Sequence, residues 1–600
     1  MADQRLSRRR FLSSAALLAA AGAVPRAASA GPAEPSTPPG TTAAPPPGAL
    51  GGGATAPAEV TVSTIAEAEK LARVSYRPEQ RKLLVESLGD QLSWPLALRR
   101  APAPRSLAPA SGFSPLLPGM RPPTGRSKLV RPPPGAAPLP ESDEDIAYAP
   151  VSDLSRWVKG RQLSSVRLTR IYLDRLARLQ PRLLCTITRT DELALAQAAQ
   201  ADHELSIGKY RGPLHGIPYG AKDLLDTAGI PTTWGAEPFR GRVPDHDAAV
   251  VARLRGAGAV LVAKLSLGAL AMNDVWFGGQ TRNPWLLAEG SSGSSAGPGA
   301  AVAAGLVGFA VGSETLGSIV SPSIRCGVTG LRPTFGRVPR TGAMPLSWSL
   351  DKLGPMTRTV EDAALVLAAL NGRAAGDPSS VAAPLQLDLA RPLGAPRVGY
   401  DPAWLADKDA LPEDRAGLEL LRAAGAELVE VKLPDLPWDA LLPTLLAESA
   451  AAFEDLTLSH RDDELAVQVA DAWPNLWRGA RFISAVDAVQ ADRLRRKAME
   501  AMAGLFASVD ALAGPALAGP MLTVTNYTGH PCLTLRTGFR RLTRLRSDFA
   551  VKEPVELAAP ARVPHGISLW ARPFDEGTLC RLGLALERQA GVWRERPPLA

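Results

Sequence analysis

From residue 148 onward, stretches with helical period alternate with short apolar runs, and this alternation restricts the chain to a sheet covered by helices. "SSVRLTRIYLDRLARL" places Leu168, Ile171, Leu176 and Leu179 on one helical face, "RLLCTIT" reads as a strand, and "DELALAQAAQAD" as a second helix. "AAVVARLRGAGAVLVAKL" reads as helix, glycine turn and strand. "PRVGY" and "AELVEVKL" are two more strands, flanking the helix "PEDRAGLELLRAAG". Hydrophobic residues make up 46% of the 600, enough for a large core, and no segment repeats at a fixed period. The expectation is an α/β fold: one large domain over 148–600, a mixed twisted β-sheet covered by helices on both faces.

The chain ahead of that domain has a different composition. Residues 1–30 carry Arg8 and Arg9, then Phe11 and Leu12, a weak apolar run over 15–24, and the small-residue site Ala28-Ser29-Ala30. This pattern resembles a twin-arginine export signal, so the expected location is periplasmic or extracellular, with cleavage near Ala30. The apolar run is about half of what a bilayer span requires. No cysteine stands near the cleavage site to carry a lipid, so no stable membrane anchor is expected after removal. Residues 31–57, rich in Pro, Gly and Ala, read as a flexible linker. Residues 58–99 have helical period, and 100–147 are again Pro-rich, which predicts an extended tether.

Net charge is +8, and the 67 basic residues divide into 12 lysines and 55 arginines. The arginines are scattered and aromatics are only 5%, so the charge predicts a solvated surface and no nucleic-acid partner. Cys185, Cys326, Cys532 and Cys580 lie far apart, compatible with two disulfides or four buried thiols. The six histidines do not cluster, and no metal site is expected.

The chemistry concentrates in two glycine- and serine-rich stretches. In "GSETLGSIVSPSIRCG" (312–327), Ser318 follows a turn of small residues and precedes a helical segment. Backbone N–H groups at such a turn can cradle an oxyanion. A serine hydroxyl needs a base, and no histidine lies near in sequence. Lysines are scarce, and Lys222 sits among glycines and apolar residues in "GIPYGAKDLLDTAGIPTTWG". Desolvation penalises an ammonium, so a lysine held there loses its proton more readily and can act as a base. Upstream of Ser318, "EGSSGSSAGPGAAVAAG" contains Ser294.

Together these segments resemble the amidase signature family of serine hydrolases. The likeness rests on Gly220-Ala221-Lys222-Asp223, on Ser294 through Gly305, on Gly312 through Ile319, and on "CGVTGLRPTFGRV". "SLDKLGPMTRTVEDAALVL", "TGHPCLTL" and "GISLWARPFDEGTLCRL" extend it, so that it covers roughly 148–597. The resemblance implies a Ser–cis-Ser–Lys triad: Ser318 as nucleophile, Ser294 on a cis peptide bond as proton relay, and Lys222 as base. It also implies an oxyanion hole from the N–H groups of Thr315, Leu316, Gly317 and Ser318. The implied activity is hydrolysis of a small linear carboxylic amide without metal or cofactor, by a chain that could act alone or as a homodimer. Met272, Asn273, Asp274 and Trp276 stand in the region where the family lines its substrate pocket.

Several positions depart from the family pattern. Leu316 replaces a usual glycine, Glu314 an aspartate and Val320 an arginine, and Ala296-Gly297-Pro298 follow the serine pair. Leucine at 316 is strained if that position needs positive φ; otherwise it narrows the site. Three other readings compete. "GSSAG" (293–297) matches a nucleophile elbow with Ser295 as nucleophile, but that motif needs an apolar strand running into it. An exported binding protein could keep the fold without activity. A tRNA-dependent amidotransferase component, also found in this family, needs cytoplasmic tRNA and so conflicts with an export signal.

Overall fold

The computed structural model describes residues 56–100, 103–133, 135, 137–407, 410–546 and 555–599. The expected signal peptide and most of the expected linker lie outside the described residues. The chain forms two units: one contains the described residues up to Ala66 with Tyr76–Arg100, the other Glu67–Ser75 and the residues from 103 onward. In the 58–99 segment, helices run over Val62–Ala72, Pro78–Ser87 and Gly89–Arg99.

The larger unit is built on an eleven-stranded mixed sheet. In chain order its strands are β1 (Thr186–Arg189), β2 (Pro218–Lys222), β3 (Val260–Leu265), β4 (Phe309–Glu314), β5 (Thr329–Arg332) and β6 (Lys352–Thr357), then β7 (Arg397–Tyr400), β8 (Glu427–Glu430), β9 (Ala511–Pro515), β10 (Cys532–Arg544) and β11 (Glu556–Ala571). They lie in the order β8-β7-β9-β11-β10-β5-β6-β4-β2-β3-β1. β2 pairs in parallel with both β3 and β4, while β4 pairs antiparallel with β6. β2, β3 and β4 are buried along their whole length, as central strands covered on both faces are, and that burial takes in Lys222, Lys264 and Glu314.

The helices follow their sequence signals. Ser164 caps the helix Ser165–Leu183 by accepting from the Arg167 N–H, and Leu168, Ile171, Leu176 and Leu179 are buried as the pattern predicts. That helix runs past Pro181 and ends at Leu184 in the left-handed region, so the following strand starts only at Thr186.

The Pro-rich stretch expected as a tether is packed against the domain, and its end forms the helix Asp143–Tyr148 with Ile146 and Ala147 in the core. Lys128–Val130 pairs in parallel with Gln386–Asp388. The Phe113 ring meets Phe335 edge-on at 5.0 Å, and the Arg495 guanidinium lies 3.4 Å from the Phe113 centroid. Proline fixes an extended backbone, yet the apolar side chains between the prolines still gain by burial. All four cysteines are free and buried. No helix among the described residues is long and apolar enough to cross a membrane.

Candidate active site

The sheet order brings the separate motifs together. Lys222 ends β2, and the neighbouring β4 runs parallel to it and leads through Glu314 into the loop that carries Ser318. That loop ends in the helix Val320–Cys326. Ser294 lies in the loop ahead of the helix Ala296–Ala303, after a cis Gly293–Ser294 peptide bond. Close packing explains Gly293, where a Cβ would fall 1.8 Å from the Asn273 carbonyl oxygen. Gly317 has φ +89°, and a side chain there would also meet Leu522.

Lys222 is wholly buried and touches three serine hydroxyls: Ser294 Oγ at 2.8 Å, Ser313 Oγ at 2.9 Å and Ser295 Oγ at 3.1 Å. Burial holds its pKa well below the ordinary lysine range, against the opposing pull of the Asp351 and Glu314 charges. A neutral amine fits three such contacts by donating two hydrogen bonds and accepting one from a serine hydroxyl. Burial thus favours the neutral form of an amine that lies 2.8 Å from Ser294 Oγ.

Two carboxylates fix the loop around Ser318. Glu314 Oε2 accepts from the N–H groups of Ile319 at 2.8 Å and Val320 at 3.0 Å, the two residues after Ser318. Its Oε1 accepts from Arg332 at 2.6 Å and from Asn526 at 2.9 Å. Burial pushes the Glu314 carboxyl up, but the Arg332 charge, Lys352 and the backbone donors outweigh it and bring it down to about 2. Asp351 accepts from Thr315 Oγ1 at 2.6 Å and from the N–H groups of Leu346 and Ser347.

Thr315, Leu316, Gly317 and Ser318 border a cavity of about 520 Å³ together with Ser292 and Ser321. Among the described residues the N–H groups of Leu316, Gly317 and Ser318 donate to no protein acceptor, which leaves them for a ligand oxygen. Leu316 does not have positive φ. Its side chain packs beside Leu350, Leu441, Leu445 and Tyr527, so it narrows the site without backbone strain.

Of the four expected pocket residues, the structure brings two to the cavity. Met272 and Asn273 line it. Asp274 is instead buried beneath, accepting from the Ser292 N–H at 2.8 Å and from Gln280 at 3.1 Å. Trp276 packs against Phe277 and donates to the Leu184 carbonyl; its indole has a local partner and turns from the site. Among the described residues no histidine lines the cavity.

Sequence reasoning missed Ser313 and gave Ser295 a role only as a rival nucleophile. Ser295 is wholly buried, donating to the Ser313 carbonyl at 3.0 Å and accepting from the Ser313 N–H and Lys222. A short strand, Leu286–Gly290, does precede it, but pairs with Arg282–Asn283 in a separate two-stranded ribbon. Ser295 therefore lacks the elbow geometry, in which a strand of the main sheet delivers an accessible serine. The sequence signal for both residues was their place inside the two Gly/Ser stretches, which does not tell which hydroxyl faces Lys222.

Comparison with known proteins gives one consistent family. The family model described as Amidase matches residues 167–580. A glutamyl-tRNA(Gln) amidotransferase subunit from Anaeromyxobacter dehalogenans is 34% identical over 469 residues, covering 72% of this chain and 94% of its own length. The native peptide amidase of Stenotrophomonas maltophilia shares the fold with a TM-score of 0.63 and 32% identity, over 76% of this chain and 99% of that one. An amidase family protein from Bacillus anthracis superposes with a TM-score of 0.64 and 26% identity, over 76% of this chain and 94% of that one.

Proposed function

The chain belongs to the amidase family, and from that premise we propose that it is an exported hydrolase of linear carboxylic amides working through Ser318, Ser294 and Lys222. The observation that carries this reading is the buried Lys222 amine, 2.8 Å from Ser294 Oγ, beside a loop whose free N–H groups and Ser318 border one cavity. Ser318 Oγ attacks the amide carbonyl as its proton passes to Ser294, whose own proton moves to Lys222. The oxyanion accepts hydrogen bonds from the loop N–H groups, which hold it better than the planar carbonyl. The C–N bond then breaks, and the leaving amine takes a proton from Lys222 through Ser294. Water cleaves the acyl-enzyme by the same route.

Purified wild type, Ser318→Ala, Ser294→Ala and Lys222→Ala should separate this mechanism from others. Each variant should lose most anilide hydrolysis, and the losses should not add, because the three act as a unit. A fluorophosphonate should label Ser318. Labelling that survives Lys222→Ala but is lost in folded His246→Ala or His530→Ala would replace the lysine relay with a histidine base. No hydrolysis of any anilide or ester by the wild type would instead favour a binding protein on this fold. Export rests on Arg8 and Arg9; their replacement by Lys should leave the precursor in the cytoplasm, and unchanged export would refute it.

The similarity to an amidotransferase component supports a second reading, in which the chain releases ammonia from glutamine for a partner. Glutaminase activity exceeding anilide hydrolysis would favour it.

A further inference from the structure

Resting on the hydrolase reading, we infer that the substrate's acyl part is a bulky, uncharged, apolar group, and that free glutamine is excluded. The cavity beside Ser318 measures about 520 Å³, inside the range of about 300–1,000 Å³ typical of small-molecule sites. Its polar side chains are the uncharged Asn273, Ser292, Thr315, Ser318 and Ser321, and the reacting carbonyl must lie beside Ser318. The remaining wall is apolar, with Leu316, Leu346, Leu445, Trp473, Leu476 and Leu522 facing the space. Among the described residues no Asp, Glu, Lys, Arg or His lines it.

This lining decides between ligand classes. Free glutamine would bring an α-ammonium and an α-carboxylate into a chamber without a counter-charge, and an unpaired buried charge is strongly disfavoured. An alkyl or aryl group loses nothing there and gains by leaving water. The acyl group is the part that must fill the interior. It stays attached to Ser318 while the amine departs and water enters, so the amine belongs on the open side. Leu517 stands at the mouth, 56% exposed, where a departing group passes. Leu316 contributes to the inner wall through its packing beside Leu445, and so helps set the width available to the acyl chain.

The test uses full-length protein and straight-chain acyl anilides from two to eight carbons, with glutamine in parallel. kcat/KM should rise about fourfold per methylene until the cavity is full, and glutamine should not be turned over. Leu476→Ala should shift the preference to longer chains. Leu476→Glu, which places a carboxylate at a half-buried wall position, should lower kcat/KM for the octanoyl anilide at least tenfold and flatten or reverse the chain-length series. Binding of octanamide and glutamine to Ser318→Ala, read by calorimetry, examines the cavity without chemistry. Octanamide that binds Ser318→Ala while wild type hydrolyses no anilide would uphold the apolar site and remove the catalytic reading. A flat or falling chain-length series, or glutamine binding more tightly than octanamide, would overturn the inference and leave the hydrolase intact.

Discussion

Glu314→Gln is the sharpest perturbation of the loop that holds Ser318. The carboxylate accepts four hydrogen bonds, from Ile319, Val320, Arg332 and Asn526, and both it and Arg332 are fully buried. Glutamine keeps the volume but offers one acceptor oxygen to four donors, and leaves the guanidinium unpaired. Breaking a buried ion pair from one side costs about 3–5 kcal/mol. The titration leads to a similar figure. A carboxyl brought from 4.5 to about 2 by its partners contributes about 3 kcal/mol at neutral pH. Because its folded pKa is depressed, that stability is complete above pH 4.5 and disappears as pH falls toward 2, so the difference between wild type and variant should shrink over that interval. At about 2.1 cal/mol/K per residue over roughly 450 residues, 1 kcal/mol is worth about 1 °C. Calorimetry at pH 7 should therefore show a loss of about 3–5 °C. Released from its anchor, the loop should also misplace Ser318, and a shift of about 1 Å can cost roughly 10²-fold in kcat/KM. Adding Arg332→Met should restore part of the stability, since no buried charge then stands alone, but not the activity. A single variant melting within about 1 °C of wild type with unchanged kcat/KM would show that Glu314 does not hold the loop.

Three further outcomes are expected. With the Lys222 pKa held well below its ordinary value by burial, kcat/KM should rise with pH as the amine loses its proton and then level off. Lys222→Arg should stay inactive across the range because a guanidinium keeps its charge; a profile that falls through neutral pH contradicts the base assignment. Ser295→Ala removes the bridge between Lys222 and Ser313 and should cost about 1–2 kcal/mol in denaturant unfolding while Ser318 remains reactive toward fluorophosphonate; lost labelling in a folded variant would move the nucleophile to Ser295. Leu316→Gly has no positive φ to relieve and gives up side-chain packing, so its melting temperature should fall; a rise would reveal strain at that position.

What was legible in the sequence were the features that backbone chemistry enforces. Runs such as that over residues 260–263 announce a buried central strand because consecutive apolar residues need cover on both faces; Lys264, next in the strand, is buried beside Asp223 at 3.1 Å. Gly317 and Gly293 mark places where a side chain does not fit, which is why the loops around Ser318 and Ser294 stand out as motifs. The long hairpin β10–β11 was not legible, because "RTGFRRLTRLR" continues the strand with half-exposed arginines that break any apolar alternation. Nor was the wall of the cavity beside Ser318. Leu445, Trp473 and Leu476 come from the helices Leu442–Ala452 and Trp473–Ala480, far along the chain from Ser318, and an amphipathic helix shows that one face is covered without showing by what. The same holds for Asp274 and Trp276. Leu270, Ala271 and Asn273 all take left-handed backbone angles, and that rare sequence of turns, which propensity argues against, sends Met272 and Asn273 to the cavity and the next residues away from it.

The apolar neighbours of Lys222 in the sequence pointed to a base, and the structure adds the reason that its burial is tolerated. A fully buried amine with no ion-pair partner would be costly if charged, yet three serine hydroxyls from two separate segments satisfy its hydrogen-bonding capacity while supplying no charge. Replacing any of them by a carboxylate would pin the lysine as an ammonium and remove its lone pair. Neutral partners keep the desolvation penalty in force and lower the pKa. Under the proposed mechanism the serine-rich composition of both segments would serve twice, once to provide the attacking and relaying hydroxyls and once to surround the lysine with uncharged partners.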